Sequence, residues 1–372
     1  MPVTANSEPV NLPLPKVLRT KITPPQTSAR TLHRARVTQT LLEAVTFRLT
    51  ILQAGAGYGK STALAALAEE YQPLIWYQVT DEDHDPLLFL LHLFHATARS
   101  LPEIGDIPIE YLSTWDSSHG PLPTTELLDQ YINALATGLE IPTLLVIDDA
   151  HLALDSNENA ILLDRLVSYA PDPLHILLAG RPAISLHGLP RWRSQGDVLS
   201  LDQSTLAFTA PEIATLFAAH YGYELTADEV DHLLENTEGW AIALQLIWQN
   251  LRSGSSATVD AALARPATSQ QALFDILARE VFEHQPEDVQ AFLLGSATLR
   301  EMTSQACEAL ITAEDGSMAL ARNIGATALL AYLRRQEMFV VESGDGVLRY
   351  HHIFHSFLQQ QADPRQRQIW HR

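Results

Sequence analysis

The residues with the clearest chemistry are Ala54-Gly55-Ala56-Gly57-Tyr58-Gly59-Lys60-Ser61-Thr62. Three glycines in five positions let a backbone turn its N–H groups inward around an anion, and a helix N-terminus directly after them adds positive potential. Gly55, Gly57, Tyr58, Gly59, Lys60, Ser61 and Thr62 form the expected phosphate cradle. Lys60 is expected to reach the β- and γ-phosphates of a nucleotide, and the Ser61 hydroxyl to hold Mg²⁺. The phosphate-loop pattern has Gly at its first position where this chain has Ala54, which a negative φ accommodates.

A second constellation is Leu144-Leu145-Val146-Ile147-Asp148-Asp149, an apolar run ending in two carboxylates. Acids at the C-terminal end of a buried strand stand where α/β sheets bind ligands. Asp148 is expected to orient Mg²⁺ and Asp149 to polarise a water. Taken alone, such a run is common; together with the Gly-rich loop it reads as the second half of a nucleotide site. A third is Ala179-Gly180-Arg181-Pro182, where Arg181, at the end of the following strand, is expected to face the γ-phosphate; a surface salt bridge is the plainer alternative. Arg34 and Arg36 belong to a basic N-terminal stretch with seven Lys/Arg before residue 49. They either stay solvated or reach the nucleotide or an acidic neighbouring domain. Glu238-Gly239-Trp240 opens a helix, with ordinary core packing of Trp240 as the bland alternative. Arg349-Tyr350-His351-His352-Ile353-Phe354-His355 carries three histidines without acidic or Cys partners at ligand spacing, so a zinc site is not expected.

These groups need a scaffold. Short apolar or β-branched runs near residues 48–53, 74–79, 143–147, 175–179 and 198–201 alternate with helical segments, which predicts a parallel α/β sheet with right-handed crossovers. Residues 101–124 carry four prolines and read as a surface insertion. After residue 205 the pattern is helical, and 339–350 has the form of a β-hairpin, as in a winged helix. The expected fold class is therefore α/β: a P-loop NTPase parallel sheet followed by a helical lid domain and a winged-helix domain. The expected boundaries are an extended basic, Pro-rich arm at 1–30, the nucleotide-binding domain at 31–204, the lid at 205–265, and the winged helix at 266–372. The last residues stop without a turn signal, as at the start of a linker to a further domain.

The chain has 372 residues, 46% hydrophobic and 18% charged, with 24 basic against 44 acidic side chains for a formal charge of −20. Such a composition buries real cores. Its acidity argues against direct nucleic-acid binding or an anionic membrane as partner, and the expected hairpin tip, with Glu342 and Asp345, lacks the cations a DNA-binding wing wants. A single cysteine, Cys307, excludes a disulfide within the chain. Neither a secretory leader nor an 18-residue apolar run is apparent, so a cytoplasmic location is expected.

In combination, the P-loop with Tyr58 before Gly59-Lys60, Ile147-Asp148-Asp149-Ala150-His151, Leu206-Ala207-Phe208-Thr209, Gly239-Trp240, and the N-terminal Leu18-Arg19-Thr20-Lys21 and Leu32-His33-Arg34-Ala35-Arg36 resemble the MalT-type branch of the STAND ATPases. The resemblance covers almost the whole chain. It implies an adenine-nucleotide switch that is held closed by ADP, oligomerises in the ATP state, hydrolyses ATP slowly with Mg²⁺, and answers to an inducer or effector protein that the sequence does not name. By the same resemblance Lys60, Ser61, Asp148 and Asp149 are the Walker residues and Arg181 a sensor arginine. Gly239 and Trp240 take the place of a lid motif near adenine, although no proline follows, and His351 approaches the ADP β-phosphate from the winged helix. The competing expectations are a non-hydrolysing, ADP-bound interaction scaffold and a small-molecule kinase; no lid arginine cluster supports the latter.

Overall fold

The computed structural model describes residues 17–27, 31–115, 121–181, 184–252, 259, 282–283, 285–299, 301–312, 324–335, 340–342, 348–350 and 352–361. Five strands form one parallel sheet: β1 (Leu49–Gln53), β2 (Leu74–Gln78), β3 (Thr143–Asp148), β4 (Leu174–Gly180) and β5 (Val198–Leu201). Their order is β2-β3-β4-β1-β5. Every residue of β3 is buried, as its unbroken apolar run requires in a strand covered on both faces.

This order puts β4 between β1 and β3, with Leu52 opposite Ala179 and Ile147 opposite Leu178. Three neighbouring strand ends therefore deliver the Gly-rich loop, Gly180-Arg181 and Asp148-Asp149 to one edge of the sheet. Cross-links between the outgoing loops fix that edge: Ala54 N–H donates to Gly180 O (3.2 Å), and Ala150 N–H to Ala179 O (2.8 Å).

Helices cover both faces. The helix Lys60–Glu70 starts at Gly59, whose φ of +83° is left-handed, and continues on Ala, Leu and Glu, residues of high helix propensity. The helix Pro86–Ser100 has Pro at its first position, and its N-cap Asp85 accepts from Leu87 N–H, a start that suits both residues. Downstream of the sheet, the helices Ala210–Thr215 and Ala227–Thr237 each begin in a reciprocal cap, Thr209 with Glu212 and Thr226 with Glu229. The first runs on as a π-helical turn, Leu216–Tyr221. Then come the helices Ala241–Arg252, Glu287–Ser296, Ser304–Thr312 and Ala326–Arg335, the antiparallel pair β6 (Val340–Glu342) and β7 (Leu348–Tyr350), and the helix His352–Gln361. One apolar cluster spans a sheet face, Trp240, and Phe292, Tyr350, Phe354 and Phe357 of the C-terminal part. Burial thus joins the sheet to Trp240 and the C-terminal part, whereas Ile213, Phe217, Leu233 and Leu244 form a separate apolar cluster.

Two expectations need correction. The Pro-rich stretch 101–124 is not merely a surface insertion: Leu101, Ile104 and Leu112 are buried in the second sheet-face cluster, and Ile109–Thr114 is helical. Nor are residues 17–27 a freely solvated arm. Ile22 is buried, Lys21 O accepts from Gln78 N–H (2.7 Å), and the Lys21 ammonium is enclosed against Asp83. A carboxylate with no solvent exposure requires a cation beside it, and the arm supplies it.

Candidate functional site

At the sheet edge, Gly57 and Gly59 both lie in the left-handed region (φ +77° and +83°). Ala54 is fully buried and is not among the described non-glycine residues of positive φ, so the loop's first position has no need of glycine here. Lys60 is buried, and its Nζ donates to Ala54 O (2.7 Å) and Gly55 O (3.1 Å). An ammonium resting on the carbonyls of a Gly-rich loop, at the start of a helix, offers the positive charge an anionic phosphate needs.

The Ser61 hydroxyl donates to Asp148 Oδ2 at 2.5 Å. Burial and the neighbouring charge of Asp149 raise the Asp148 carboxyl to about 6, against the pull of its bonds from Ser61 and the Asp149 amide and of Lys60. A hydroxyl and a buried carboxylate that meet edge to edge fit a hard divalent cation. Asp149 has a left-handed φ of +54°, an uncommon conformation for a non-glycine residue and one that clusters at functional sites. Burial, opposed by Asp149 and reinforced by Arg181 and Lys60, lowers the His151 imidazole to about 4. Neutral His151 can therefore accept at Nδ1 from Arg181 N–H, 3.4 Å away. The structure thus gathers Lys60, Ser61, Asp148, Asp149 and Arg181, with His151 as a further member.

Beside the loop is a cavity of about 160 Å³, lined among others by Arg34, Val37, Tyr58, Phe208, Leu216 and Tyr221. Its wall also includes Gly59 and Thr62, so it opens onto the phosphate loop. The π-helical turn carries Tyr221 to this wall, an irregularity often found at functional sites.

The two arginines take the acidic-neighbour alternative. Arg34 donates to Leu206 O, Ala207 O and Glu212, and its guanidinium stacks 3.9 Å over the Phe208 ring; Arg36 donates to Thr205 O, Ala207 O and Glu212. Burial alone would raise the Glu212 carboxyl, yet these bonds and the one from Thr209 N–H hold it at about 2. Arg34 lines the cavity with its guanidinium bound to the chain that leaves the sheet.

Trp240 is fully buried and is not among the residues that line the cavity. Its indole N–H donates to Ala56 O at 3.0 Å, and Ile242 N–H donates to Gly57 O at 3.2 Å. The segment after the sheet is therefore seated on the phosphate loop itself. Glu238 and Gly239, both left-handed, make the turn that presents Trp240. Glu238 also pairs with Arg349 of β7 at 2.6 Å. His351 lies outside the described residues, whereas His355 is placed at Ala297 O (2.7 Å). The reading of the sequence missed Ile242, Tyr221 and the Glu238–Arg349 pair; of these only the left-handed turn had a local signal, Gly239.

Two family models match: an AAA domain over residues 46–187 and the MalT winged helix domain over 278–370. The chain is 28% identical over 352 residues to the HTH-type transcriptional regulator MalT of Serratia proteamaculans, and 27% identical over 351 residues to that of Cronobacter sakazakii. Each alignment takes 93% of this chain and 37% of the relative, so the chain spans little more than a third of the curated relatives it matches. Among solved structures, a Walker-type ATPase of Pyrococcus abyssi shares the fold with a TM-score of 0.61 at 16% identity, over 90% of this chain and 98% of that one. No helix among the described residues is long and apolar enough to cross a membrane.

Proposed function

We propose that this chain, whose sequence resembles the MalT type of the STAND P-loop proteins over 93% of its length, works as an adenine-nucleotide switch whose resting form holds ADP. The observation that carries the proposal is the seat of Trp240 and Ile242 on the carbonyls of Ala56 and Gly57. A helical segment docked on the phosphate loop, next to a cavity the size of a small ring system, is a closed state that phosphate occupancy can stabilise or release. A ligand shifts such an equilibrium only by binding its two states differently, and contacts that touch the loop directly allow this.

In this proposal residues 31–204 are the nucleotide-binding domain, 205–265 the lid and 266–372 the winged-helix domain. Lys60 and the amides of Gly55, Gly57, Tyr58 and Gly59 hold the phosphates, with Thr62 beside them. The base enters the cavity between Tyr58, Phe208 and Tyr221. Ser61 and Asp148 hold Mg²⁺, which when bound neutralises phosphate charge. Asp149 takes the proton of the attacking water in a slow hydrolysis, and Arg181, braced through its backbone by His151, faces the triphosphate end. Arg34 and Arg36 fix the entry to the lid, and Gly239 and Trp240 act through the loop rather than on the base. The relatives named as transcriptional regulators support a role in signal transduction; in this proposal the chain answers to an inducer or effector partner and self-assembles in the ATP form.

The test is to denature the purified protein and identify released nucleotide by chromatography, for wild type and Lys60→Ala. The expected result is ADP near one per chain in wild type and none in the variant. A wild type that is empty and also binds neither ADP nor ATP with Mg²⁺ would sink the proposal. ADP binding with no turnover of ATP would instead favour the non-hydrolysing scaffold.

A further inference from the structure

The peptide unit is planar and trans, so the carbonyl of one residue and the N–H of the next point in opposite directions. The carbonyl of Ala56 is fixed by the Trp240 indole and that of Gly57 by the Ile242 amide. The N–H groups of Gly57 and Tyr58 are thereby turned away from the lid, and Lys60 Nζ sits on Ala54 O and Gly55 O of the same loop. The fit is close. A Cβ on Gly57 would meet Ile242 Cγ2 at 2.8 Å and Trp240 Nε1 at 3.1 Å. Trp240 has no solvent exposure, and its ring lies 6.2 Å from that of Tyr58.

We propose that Trp240 is a positioning residue for the nucleotide's phosphates: its indole N–H, together with the Ile242 amide, sets the two peptide planes whose N–H groups face the phosphate site. The inference rests on the proposal that this site binds a nucleotide, and deepens it. Lid docking and phosphate affinity become one event, because an undocked lid leaves both peptides free to rotate. Trp240 need not touch the ligand to do this. The donor atom is what matters, and the donor can be removed while the ring is kept.

The experiment compares wild type, Trp240→Phe, and a chain carrying benzothienylalanine at position 240, which has the shape of Trp but no N–H. Radiolabelled ADP is bound at equilibrium and displaced by unlabelled ADP or by adenosine. Loss of one hydrogen bond predicts about a tenfold weaker ADP affinity, with adenosine affinity unchanged, since adenosine has no phosphate for the loop to hold. The ratio of ADP to adenosine affinity therefore falls about tenfold in both variants. A general loss of packing would lower both affinities together and leave the ratio at its wild-type value, and that outcome overturns the inference. Should Trp240→Phe fail to fold, the benzothienyl form, with its full volume, decides the question. If wild type itself binds no ADP, the nucleotide proposal fails first; if wild type binds and the ratio holds in the variants, only the role of Trp240 fails.

Discussion

Arg349 Nη1 stands 2.6 Å from Glu238 Oε1, and this ion pair ties strand β7 to the residue that turns the chain into the Trp240 contact. Both side chains are partly exposed, so the pair is worth about 0.5–1 kcal/mol. That is a modest hold, placed where it biases a closed state. Glu238→Arg and Arg349→Glu are each expected to speed release of a fluorescent ADP roughly two- to fivefold, and the double swap to restore the wild-type rate. Singles that release ADP at the wild-type rate would mean that β7 has no part in the closed form.

Gly239 offers a sharper perturbation. Its φ is +71°, and a Cβ there would meet Phe208 O at 2.3 Å and Phe208 N at 2.6 Å. Those atoms are backbone, held by the bond from Phe208 N–H to Gly239 O, and cannot swing aside. Gly196 has a similar φ of +79° with nothing within 4 Å of its added Cβ. Gly196→Ala therefore costs about 1 kcal/mol through φ alone, whereas Gly239→Ala costs roughly 3 kcal/mol or more and exposes the helix Ala241–Arg252 to protease. Urea unfolding of the two variants side by side checks the difference; equal midpoints would refute it.

Much of this was legible in the sequence because it is local. The glycines, Lys60 and Ser61 follow one another, and the β3 run announces its own burial. What was not legible depends on distance along the chain. That β4 lies between β1 and β3 is a matter of sheet order, which no single strand encodes. Trp240 reads as a core aromatic or a base contact until the fold brings Ala56, 184 positions earlier, to its indole. Lys21 reads as one more solvated cation of a Pro-rich arm, because its partner Asp83 is 62 residues away.

Asp148 sets stability against function. Burial and Asp149 raise its carboxyl to about 6, above the unfolded value near 4. Between those values the folded state binds more protons than the unfolded one, so this group's contribution to stability falls as pH rises through the window. At pH 7 the folded protein bears the cost of a buried charge, on the order of 2 kcal/mol. Asp148→Asn is expected to raise the melting temperature of the nucleotide-free protein while removing the extra stabilisation that Mg²⁺ adds to bound ATP. A lower melting temperature in the absence of nucleotide would show that the bond from Ser61 outweighs the charge.

Lys21 and Asp83 show the opposite sign. Asp83 has no solvent exposure. Burial alone would raise its carboxyl, but bonds from His92, Lys21 and Thr80 outweigh that and hold it at about 2. Lys21 Nζ lies 2.9 and 3.1 Å from its two oxygens, and Thr80 N–H donates at 2.7 Å. A depressed folded pKa means that the stabilisation is complete above about pH 4 and is lost as pH falls from about 4 toward 2. Lys21→Met leaves the carboxylate buried without its lysine, which costs roughly 3 kcal/mol at pH 7. It also moves the acid limb of the stability profile to higher pH, because Asp83 then protonates more readily. Adding Asp83→Asn removes the stranded charge, so the double variant is expected to be more stable than Lys21→Met alone. Urea midpoints measured from pH 3 to 8 for the three proteins test this, and a Lys21→Met chain as stable as wild type at pH 7 would show that the N-terminal arm contributes nothing to the fold.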